Sequence, residues 1–387
     1  MKRWRLVLLF GIALGWNTAG AYPEFIGYGY RSCLTCHYNA TGGGQLNDYG
    51  RALFGAEIAA RPFWMPNTDD ERLGECSHFL GCFSSPYWLK PGIKYRRLLN
   101  QTNPGRDGSV VRDYSMQNDF NLATFLTEEE SLGLVATFSY VGKPELAAPN
   151  RPLGESEMML REYFVRWRIN DVYWLFVGLM DKAFGIKQPD HTAVNRAPIK
   201  LGQNDQTHAI LLYRHSDNHD LFVQPYFGNA HAEELDRAVG GAVLYEYSWN
   251  ERLVFGVSAK HESTKRETLT NYALLVRYGK EGGHALLSEF GFKDIEIEGF
   301  NRMFGAYNYF EAHYLLTRGL AFQSIVQFDK AEFRDSSPLR TRWGFGFLYF
   351  PMQRIELRAQ AIQVRADEKD RVSEDQWLAQ GQLHLSL

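Results

Sequence analysis

The sequence predicts an all-β protein, a sixteen-stranded antiparallel transmembrane β-barrel that follows a small N-terminal segment. Three observations support this fold class. From Trp88 onward, apolar and polar side chains alternate with a period of two; short and long connections between these segments also alternate; and aromatic residues make up 14% of the chain. Alternating segments of about ten residues, separated by turns, are typical of outer-membrane barrels.

The first residues indicate export from the cytoplasm. Lys2, Arg3 and Arg5 precede an apolar run over residues 6–16, and residues 19–21 are the small residues that a signal peptidase accepts. We therefore predict a signal peptide over residues 1–21. A membrane anchor is the weaker alternative, because the run is too short to cross a hydrocarbon core of about 30 Å as a helix.

The charge of the chain argues against nucleic acid as a partner. The formal net charge is −3, and removal of the signal peptide with its three basic residues makes it more negative. No apolar stretch after residue 16 reaches the roughly 18 residues that a membrane helix needs. Strands are therefore the expected means of contact with lipid.

Sixteen alternating segments account for most of the chain. In residues 354–360, for example, Ile355, Leu357 and Ala359 lie on one face and polar side chains on the other. An even number of strands returns both ends of the sheet to one side of the membrane, and closure leaves no unpaired backbone in hydrocarbon. The predicted strands start near residues 88, 112, 131, 158, 172, 206, 219, 237, 252, 267, 284, 302, 319, 339, 354 and 375.

The connections predict which end of the barrel faces the periplasm. Short connections are predicted at 127–131, 170–171, 216–218, 249–251, 279–283, 317–319 and 351–353, and the longest ones at 101–111, 143–157, 181–205 and 366–374. Short turns are periplasmic in such barrels, which places the N-terminal segment in the periplasm or the lumen. A soluble antiparallel sandwich is the alternative. In the barrel, Arg166, Arg277, Glu289 and Arg358 are expected to face an aqueous lumen.

A haem attachment motif lies near the predicted mature N-terminus, at Cys33-Leu34-Thr35-Cys36-His37. In Cys-x-x-Cys-His the two thiols bond to the porphyrin and the histidine reaches the iron, so the motif predicts one covalent haem c. A thioredoxin-like redox pair is one alternative, although no strand–helix unit surrounds the cysteines. A zinc site is another, but it needs a fourth ligand, and adjacent Cys36 and His37 do not easily bind one tetrahedral ion.

Other residues of the segment are candidates for supporting roles. Cys76 and Cys82 are predicted to form a disulfide, because the compartment is oxidising and the segment is too small for a large core. Met65 and His78 are candidates for the distal iron ligand. Apolar packing of Met65, an ordinary loop position for His78 and a five-coordinate iron remain open.

Part of the segment resembles a known family. Pro23-x-Phe25, the motif at 33–37 and residues 46–53 resemble the fused monohaem cytochrome–porins of the bacterial outer membrane, best known from iron-oxidising bacteria. The resemblance implies a c-type cytochrome segment at 22–86 ahead of a porin barrel at 87–387. It also implies that Cys33 and Cys36 hold the haem and that His37 is the proximal ligand.

The resemblance to this family is limited to a short part of the chain, and the chain departs from the family at several positions. Within residues 46–53 it implies that Asn47, Gly50 and Arg51 pack beside the haem. The chain departs from the better-known members at Gly42-Gly43-Gly44, in the lead at 27–30 and in the Cys76/Cys82 pair. These departures bear on the iron substrate more than on the haem.

The sequence supports three hypotheses for function, of which the third is a structural barrel whose motif binds no haem. The first is electron transfer across the outer membrane through a haem in or beside the barrel, with oxidation of extracellular ferrous iron as its most specific form. Its partners would be an extracellular donor or acceptor and a periplasmic carrier, either a soluble cytochrome or a cupredoxin. The second is a passive porin whose haem segment gates the channel or senses a ligand. Whether the chain is an enzyme, which would make it an oxidoreductase, and whether it forms homo-oligomers stay open.

Overall fold

The computed structural model describes residues 23–105, 108–141, 157–188, 190, 193–202, 205–334, 338–367 and 375–387. The predicted signal peptide lies outside these residues. The described residues form one closed antiparallel barrel of sixteen strands, each paired with its neighbours in the chain, with β1 also paired to β16. The strands are β1 Lys90–Thr102, β2 Val110–Phe125, β3 Leu132–Val141, β4 Glu157–Arg168, β5 Tyr173–Met180, β6 Thr207–His215, β7 His219–Phe227, β8 Val239–Asn250, β9 Leu253–Ser263, β10 Glu267–Lys280, β11 His284–Ile297, β12 Met303–Thr317, β13 Leu320–Lys330, β14 Leu339–Met352, β15 Ile355–Asp367 and β16 Gln376–Ser386.

The observed strands confirm the predicted barrel. Every predicted strand start lies within two residues of the observed one. Closure runs through the register Lys94↔Ser386 to Thr102↔Leu378, and the backbones of Ile93 and Leu387 exchange two hydrogen bonds at its end. Because each edge is paired, the closed sheet exposes no row of free backbone groups to lipid.

The distribution of side chains is the reverse of that in a soluble protein. On β14, Trp343, Phe345, Phe347 and Tyr349 point outward and are between 37% and 47% exposed, whereas Glu289 on β11 is fully buried inside the barrel. Apolar side chains outside and charged ones inside suit a barrel surrounded by hydrocarbon. Among the described residues, no helix is long and apolar enough to span a bilayer.

Replacement of Phe345 by arginine tests the outward face. Phe345 lies near the middle of β14, so the substitution is expected to lower the free energy of unfolding by about 2–4 kcal/mol, the cost of a basic side chain near the bilayer midplane. The measurement is reversible unfolding in denaturant in the presence of lipid. Phe345→Leu, which keeps the site apolar, is the control; equal stabilities of the two variants would contradict a lipid-facing position.

Much of the N-terminal segment lies inside the barrel, whereas residues 61–72 are mostly exposed. This segment, residues 23–86, is called the plug; it contains helices α1, Asp48–Leu53, and α2, Asp70–Glu75, a π-helical turn over Phe54–Ile58 and 3₁₀ turns over Pro23–Tyr28 and Cys33–Thr35. Hydrogen bonds join it to widely separated strands. Arg277 on β10 donates to the Arg31 carbonyl (2.9 Å), and the Ala60 amide donates to the Phe350 carbonyl on β14 (2.9 Å). The plug therefore spans the lumen.

The plug sits at the end of the barrel that carries the short turns. Arg31 donates to the carbonyl of Ser216 in the β6–β7 turn (3.4 Å), and Arg318 in the β12–β13 turn donates to the carbonyls of Ala59 (2.8 Å) and Gly55 (2.9 Å). Short turns face the periplasm in outer-membrane barrels. The plug thus occupies the periplasmic half of the lumen.

The long β5–β6 connection enters the lumen from the other end. The sequence predicts residues 181–205 only as a long outer loop. The described residues of this connection, 181–188, 190, 193–202 and 205–206, are called the inward loop. Its Ile186 amide donates to Glu289 (2.6 Å), its Lys187 Nζ donates to the Gly42 carbonyl of the plug (2.5 Å), and Lys182 pairs with Glu262 (2.5 Å). Apolar residues drive the loop inward: Ala183, Phe184, Ile186, Ala193, Ile199 and Leu201 are buried.

The plug and the inward loop correct the expectation of a water-filled lumen around the inward charges. Arg277 pairs with Glu246 (2.7 Å) and also binds the plug, and Arg166 stacks over Trp174 at 4.6 Å and over Tyr38 of the plug at 5.5 Å. All four residues expected to face water, including Glu289 and Arg358, are buried inside the barrel. Folded segments therefore fill the space around these charges, although some of their guanidinium nitrogens, such as Nε and Nη1 of Arg166, have no hydrogen-bond partner among the described residues.

Candidate functional site

The Cys33-to-His37 motif forms a tight turn within the plug. The amides of Cys36 and His37 both donate to the Cys33 carbonyl, at 3.2 and 2.9 Å, so the chain turns through one short 3₁₀ helix. His37 then forms a single antiparallel bridge with Leu46. This geometry holds Cys36 and His37 in fixed positions at the start of the following hairpin-like loop.

Asn47 fastens helix α1 to this turn. Its backbone amide donates to the Cys36 carbonyl (2.9 Å), and its side-chain amide donates to the Thr35 carbonyl (3.0 Å). Its Oδ1 accepts from the Gly50 amide (2.7 Å), which caps the helix N-terminus. The role of Asn47 is therefore to position the motif against α1.

Gly50 allows α1 to pack directly on the motif. A Cβ at this position would lie 2.4 Å from the Cys36 carbonyl oxygen and 2.9 Å from its Cβ. These atoms belong to the backbone and to a buried residue, so they cannot move aside cheaply. Close approach of backbone to backbone is one of the uses of glycine.

Gly50→Ala is expected to destabilise the plug by about 1–3 kcal/mol, the usual cost of overpacking a well-packed site. The physical cause is displacement of α1 from Cys36. Limited proteolysis within residues 38–60 measures the effect. Gly381→Ala on β16, where a Cβ meets nothing within 4 Å, is the control, and equal cleavage rates in both variants would count against the packing argument.

The two motif cysteines are free thiols in buried surroundings. Cys36 is buried in an apolar cluster with Phe25, Leu53 and Phe350. Burial raises the pKa of Cys36 to about 12 and also raises the pKa of Cys33. Redox-active pairs of the thioredoxin type depend on a lowered thiol pKa. The environment therefore disfavours that alternative.

His37 offers a neutral imidazole. Burial, together with the positive charges of Lys94 and Lys187, lowers the pKa of His37 to about 3. Its Nδ1 is buried and has no hydrogen-bond partner among the described residues. A neutral imidazole is the form that binds a metal, and a buried polar atom without a partner calls for a ligand.

A cavity lies between the plug and the barrel wall beside His37. Its enclosed volume is about 60 Å³, below the roughly 300–1,000 Å³ of ligand pockets, so a haem would require the lining side chains to move apart. Most of its lining is apolar, as a porphyrin would require. From the plug it is lined by Phe25, His37, Leu46, Gly50, Arg51, Phe54 and Ser77; from β1, β16 and the β14–β15 turn by Lys94, Gln353, Arg354, Ile355, Glu356, His384, Ser386 and Leu387.

The residues around this cavity fit a haem in two respects. His37 carries an unpartnered nitrogen, and Gly50 and Arg51, which the resemblance places beside the haem, line the cavity. Cys36 packs in the same apolar cluster as Phe25. Neither motif cysteine is among the residues that line the cavity. The Cys33 thiol lies close to Gly42 and within electrostatic range of Arg277.

The two distal-ligand candidates from the sequence do not line this cavity. Met65 lies half-buried in the turn at 62–68, where its amide donates to the Pro62 carbonyl (2.8 Å). The His78 Nδ1 lies 3.9 Å from the Asp48 carboxylate, and the His78 carbonyl accepts from Arg354. Cys76 and Cys82 form the predicted disulfide, which closes the loop that contains His78.

Sequence reasoning missed the residues that the barrel wall contributes to the cavity. His384 and Lys94 alternate with apolar neighbours on β16 and β1, as lumen-facing residues do. Nothing in that pattern separates them from other lumen-facing polar residues. In the part of the chain that the structure describes, no group of three or more His, Cys, Asp or Glu side chains is placed to hold a metal ion.

Comparisons with known proteins bear on the barrel. No family model and no curated protein matches the chain. Solved structures match it closely in topology. The chain folds as an outer-membrane porin barrel. Similar structures include a loop-deletion form of OmpT, an outer membrane protein of Vibrio cholerae, at 8% identity and TM-score 0.57, covering 76% of this chain and 98% of that one.

Two further solved structures are similar to this chain over the barrel. The anion-selective porin from Comamonas acidovorans has 9% identity and TM-score 0.56 over 77% of this chain and 99% of its own. The outer membrane channel DcaP of Acinetobacter baumannii has 9% identity and TM-score 0.55, with coverage of 77% and 97%. At these identities the likeness establishes the fold. About three quarters of this chain is covered, a share close to that of the barrel.

Proposed function

We propose that this protein transfers electrons across the outer membrane through one haem c, attached at Cys33 and Cys36 and ligated by His37. When bound, the haem supplies a one-electron centre whose potential depends on its axial ligands and on its burial. The observation that carries the proposal is the position of the motif. The Cys33-to-His37 turn lies inside the barrel, beside a cavity that His37 lines, rather than in a separate domain outside the barrel.

The thickness of the bilayer explains why a redox centre in the lumen would serve electron transfer. A hydrocarbon core of about 30 Å separates extracellular donors from periplasmic carriers, and isolated charge crosses it only at high cost. A redox centre within the lumen shortens the distance that electrons must travel. The plug holds that centre by hydrogen bonds to the wall, including those from Arg277 to Arg31 and from Arg51 to the Pro91 carbonyl (2.6 Å).

The periplasmic partner would approach the short-turn mouth of the barrel. A soluble cytochrome or a cupredoxin is the expected carrier. Charged residues of both signs surround a wide depression there, formed by Arg31, Asp217, Glu251, Arg252, Lys280 and Glu281 together with neutral neighbours. At the other mouth an extracellular donor or acceptor would exchange electrons, with ferrous iron as the donor that the resemblance of residues 23–53 suggests. With that donor the protein would act as an oxidoreductase.

Haem staining after denaturing electrophoresis of the outer-membrane fraction tests the covalent haem. The full chain is expected to stain, and the Cys33→Ser/Cys36→Ser double variant is expected to lose the stain because neither thioether bond can form. Cys82→Ser, which removes a sulfur from the disulfide instead, is the control and should retain the stain. An unstained wild-type band would overturn the proposal.

A second experiment separates electron transfer from a passive porin with a gating or sensing haem segment. That alternative is favoured by the porin fold of the barrel. The protein is reconstituted in liposomes that enclose an electron acceptor, and an impermeant reductant is added outside. Reduction of the haem and of the acceptor supports the conduit; an oxidised haem with measurable solute flux supports the porin. Since one similar OmpT structure is described as a trimer form, we also propose self-association in the membrane.

A further inference from the structure

The wall of the cavity opposite the plug carries a second histidine with a free ring nitrogen. His384 lies on β16 and is 7% exposed, and its Nε2 is buried without a hydrogen-bond partner among the described residues. It lines the same cavity as His37. Leaving a buried ring nitrogen unpaired costs free energy, about 1–3 kcal/mol for each such group. Each of the two histidines thus has one ring nitrogen without a partner, and both line one cavity, which points to a shared ligand.

A neighbouring carboxylate sets the protonation of this histidine. Glu356 lies directly across from His384 in the β15–β16 register, and its Oε2 accepts a hydrogen bond from His384 Nδ1 (2.9 Å). With the proton on Nδ1, the lone pair of Nε2 is free. A carboxylate bonded to the second ring nitrogen is the usual support of a metal-binding histidine, because it fixes the ring and raises its basicity.

Four other polar side chains that line the cavity donate hydrogen bonds to backbone carbonyls of the protein. Lys94 donates to the Gly44 carbonyl, Arg51 to the Pro91 carbonyl and Ser77 to the Leu73 carbonyl. Arg354 donates to the His78 carbonyl. Among the lining residues on the wall, His384 is the side chain with both a suitable ligand atom and a partner that orients it.

We propose that His384 is the distal ligand of the haem iron and that Glu356 is its positioning residue, an inference that rests on the proposed function. One axial ligand then comes from the plug and the other from the last strand of the barrel. The iron would tie the plug to the wall. Since a methionine ligand raises the potential of a c-type haem, ligation by two imidazoles places the potential below that of a centre with a thioether ligand.

The test is the spectrum of the ferric protein in its full-length, haem-loaded form. The wild type is expected to give the low-spin signature of two imidazole ligands in absorption and electron paramagnetic resonance. His384→Gly is expected to convert most of that signal to high spin while the covalent haem stain remains. Added imidazole should restore the low-spin signal, because it can occupy the space that the side chain leaves.

Three control variants distinguish His384 from other candidates. Met65→Leu and His78→Gln remove the two ligands considered from sequence, and His313→Gln changes another buried histidine of the lumen, which donates to Glu311. All three are expected to leave the low-spin signal unchanged. A high-spin signal in either of the first two variants, or an unchanged low-spin signal in His384→Gly, would overturn the inference.

Glu356→Gln provides a measurement that does not remove the ligand. A neutral acceptor in place of the carboxylate lowers the basicity of His384, so the reduction potential is expected to rise while the iron stays low-spin. An unchanged potential would count against the inference. An unstained wild type would instead defeat the proposed function itself, so the two failures are distinguishable.

Discussion

Deletion of residues 23–86 is expected to turn the barrel into an open pore with a conductance several-fold above that of the full-length protein. The plug occupies the periplasmic half of the lumen, whereas barrel closure depends on pairing between β1 and β16, which begins after the deleted part. Charged side chains that now bind the plug, such as Arg277 and Lys94, would be hydrated in the emptied lumen at little cost.

Single-channel recording in planar bilayers measures this effect. The full-length protein and Cys36→Ser are the comparisons, because the second keeps the plug while it loses one haem bond. We expect both to conduct weakly. A deletion variant with the same conductance as the full-length protein would show that the plug does not limit passage, and a Cys36→Ser variant as open as the deletion would show that haem attachment, rather than the plug alone, keeps the lumen closed.

Glu289→Ala is expected to release the inward loop from the lumen. The Glu289 carboxylate accepts hydrogen bonds from the Tyr307 hydroxyl (2.7 Å), the Ile186 amide (2.6 Å) and the Asn195 side chain (3.0 Å). A hydrogen bond to a charged group contributes about 1.5–3 kcal/mol. Loss of the two bonds to the loop therefore removes much of what holds it, and the donors left behind are buried without partners.

Hydrogen exchange at the Ile186 amide reports this release directly. Exchange should accelerate strongly in Glu289→Ala, and channel conductance should rise because the loop no longer crosses the lumen. Glu289→Gln, which keeps one carbonyl acceptor, is the matched control and should give a smaller acceleration. Wild-type exchange at Ile186 in the alanine variant would mean that apolar packing of the loop, rather than Glu289, holds it in place.

The sequence predicted the barrel well because its strands obey a local rule. Side chains on a strand alternate between lipid and lumen, so the period of two and the turn residues mark each strand without reference to its partners. Strand starts such as those of β7 at His219 and β14 at Leu339 coincided with the prediction. The Cys33-to-His37 motif is equally local, because its three residues lie within five positions of the chain.

The sequence by itself thus determined the strands, the order of the wall and the motif, whereas only the tertiary structure decided what fills the lumen. From sequence alone, the inward loop is predicted as an outer loop, because nothing in it shows that its apolar residues pack beside Glu289. Likewise, the sequence does not distinguish His384 from the other lumen-facing residues. Arg51 of the plug meets the Leu387 carbonyl across 336 positions of the chain. Contacts of that kind depend on barrel closure, because only closure brings the two ends of the chain to one cavity.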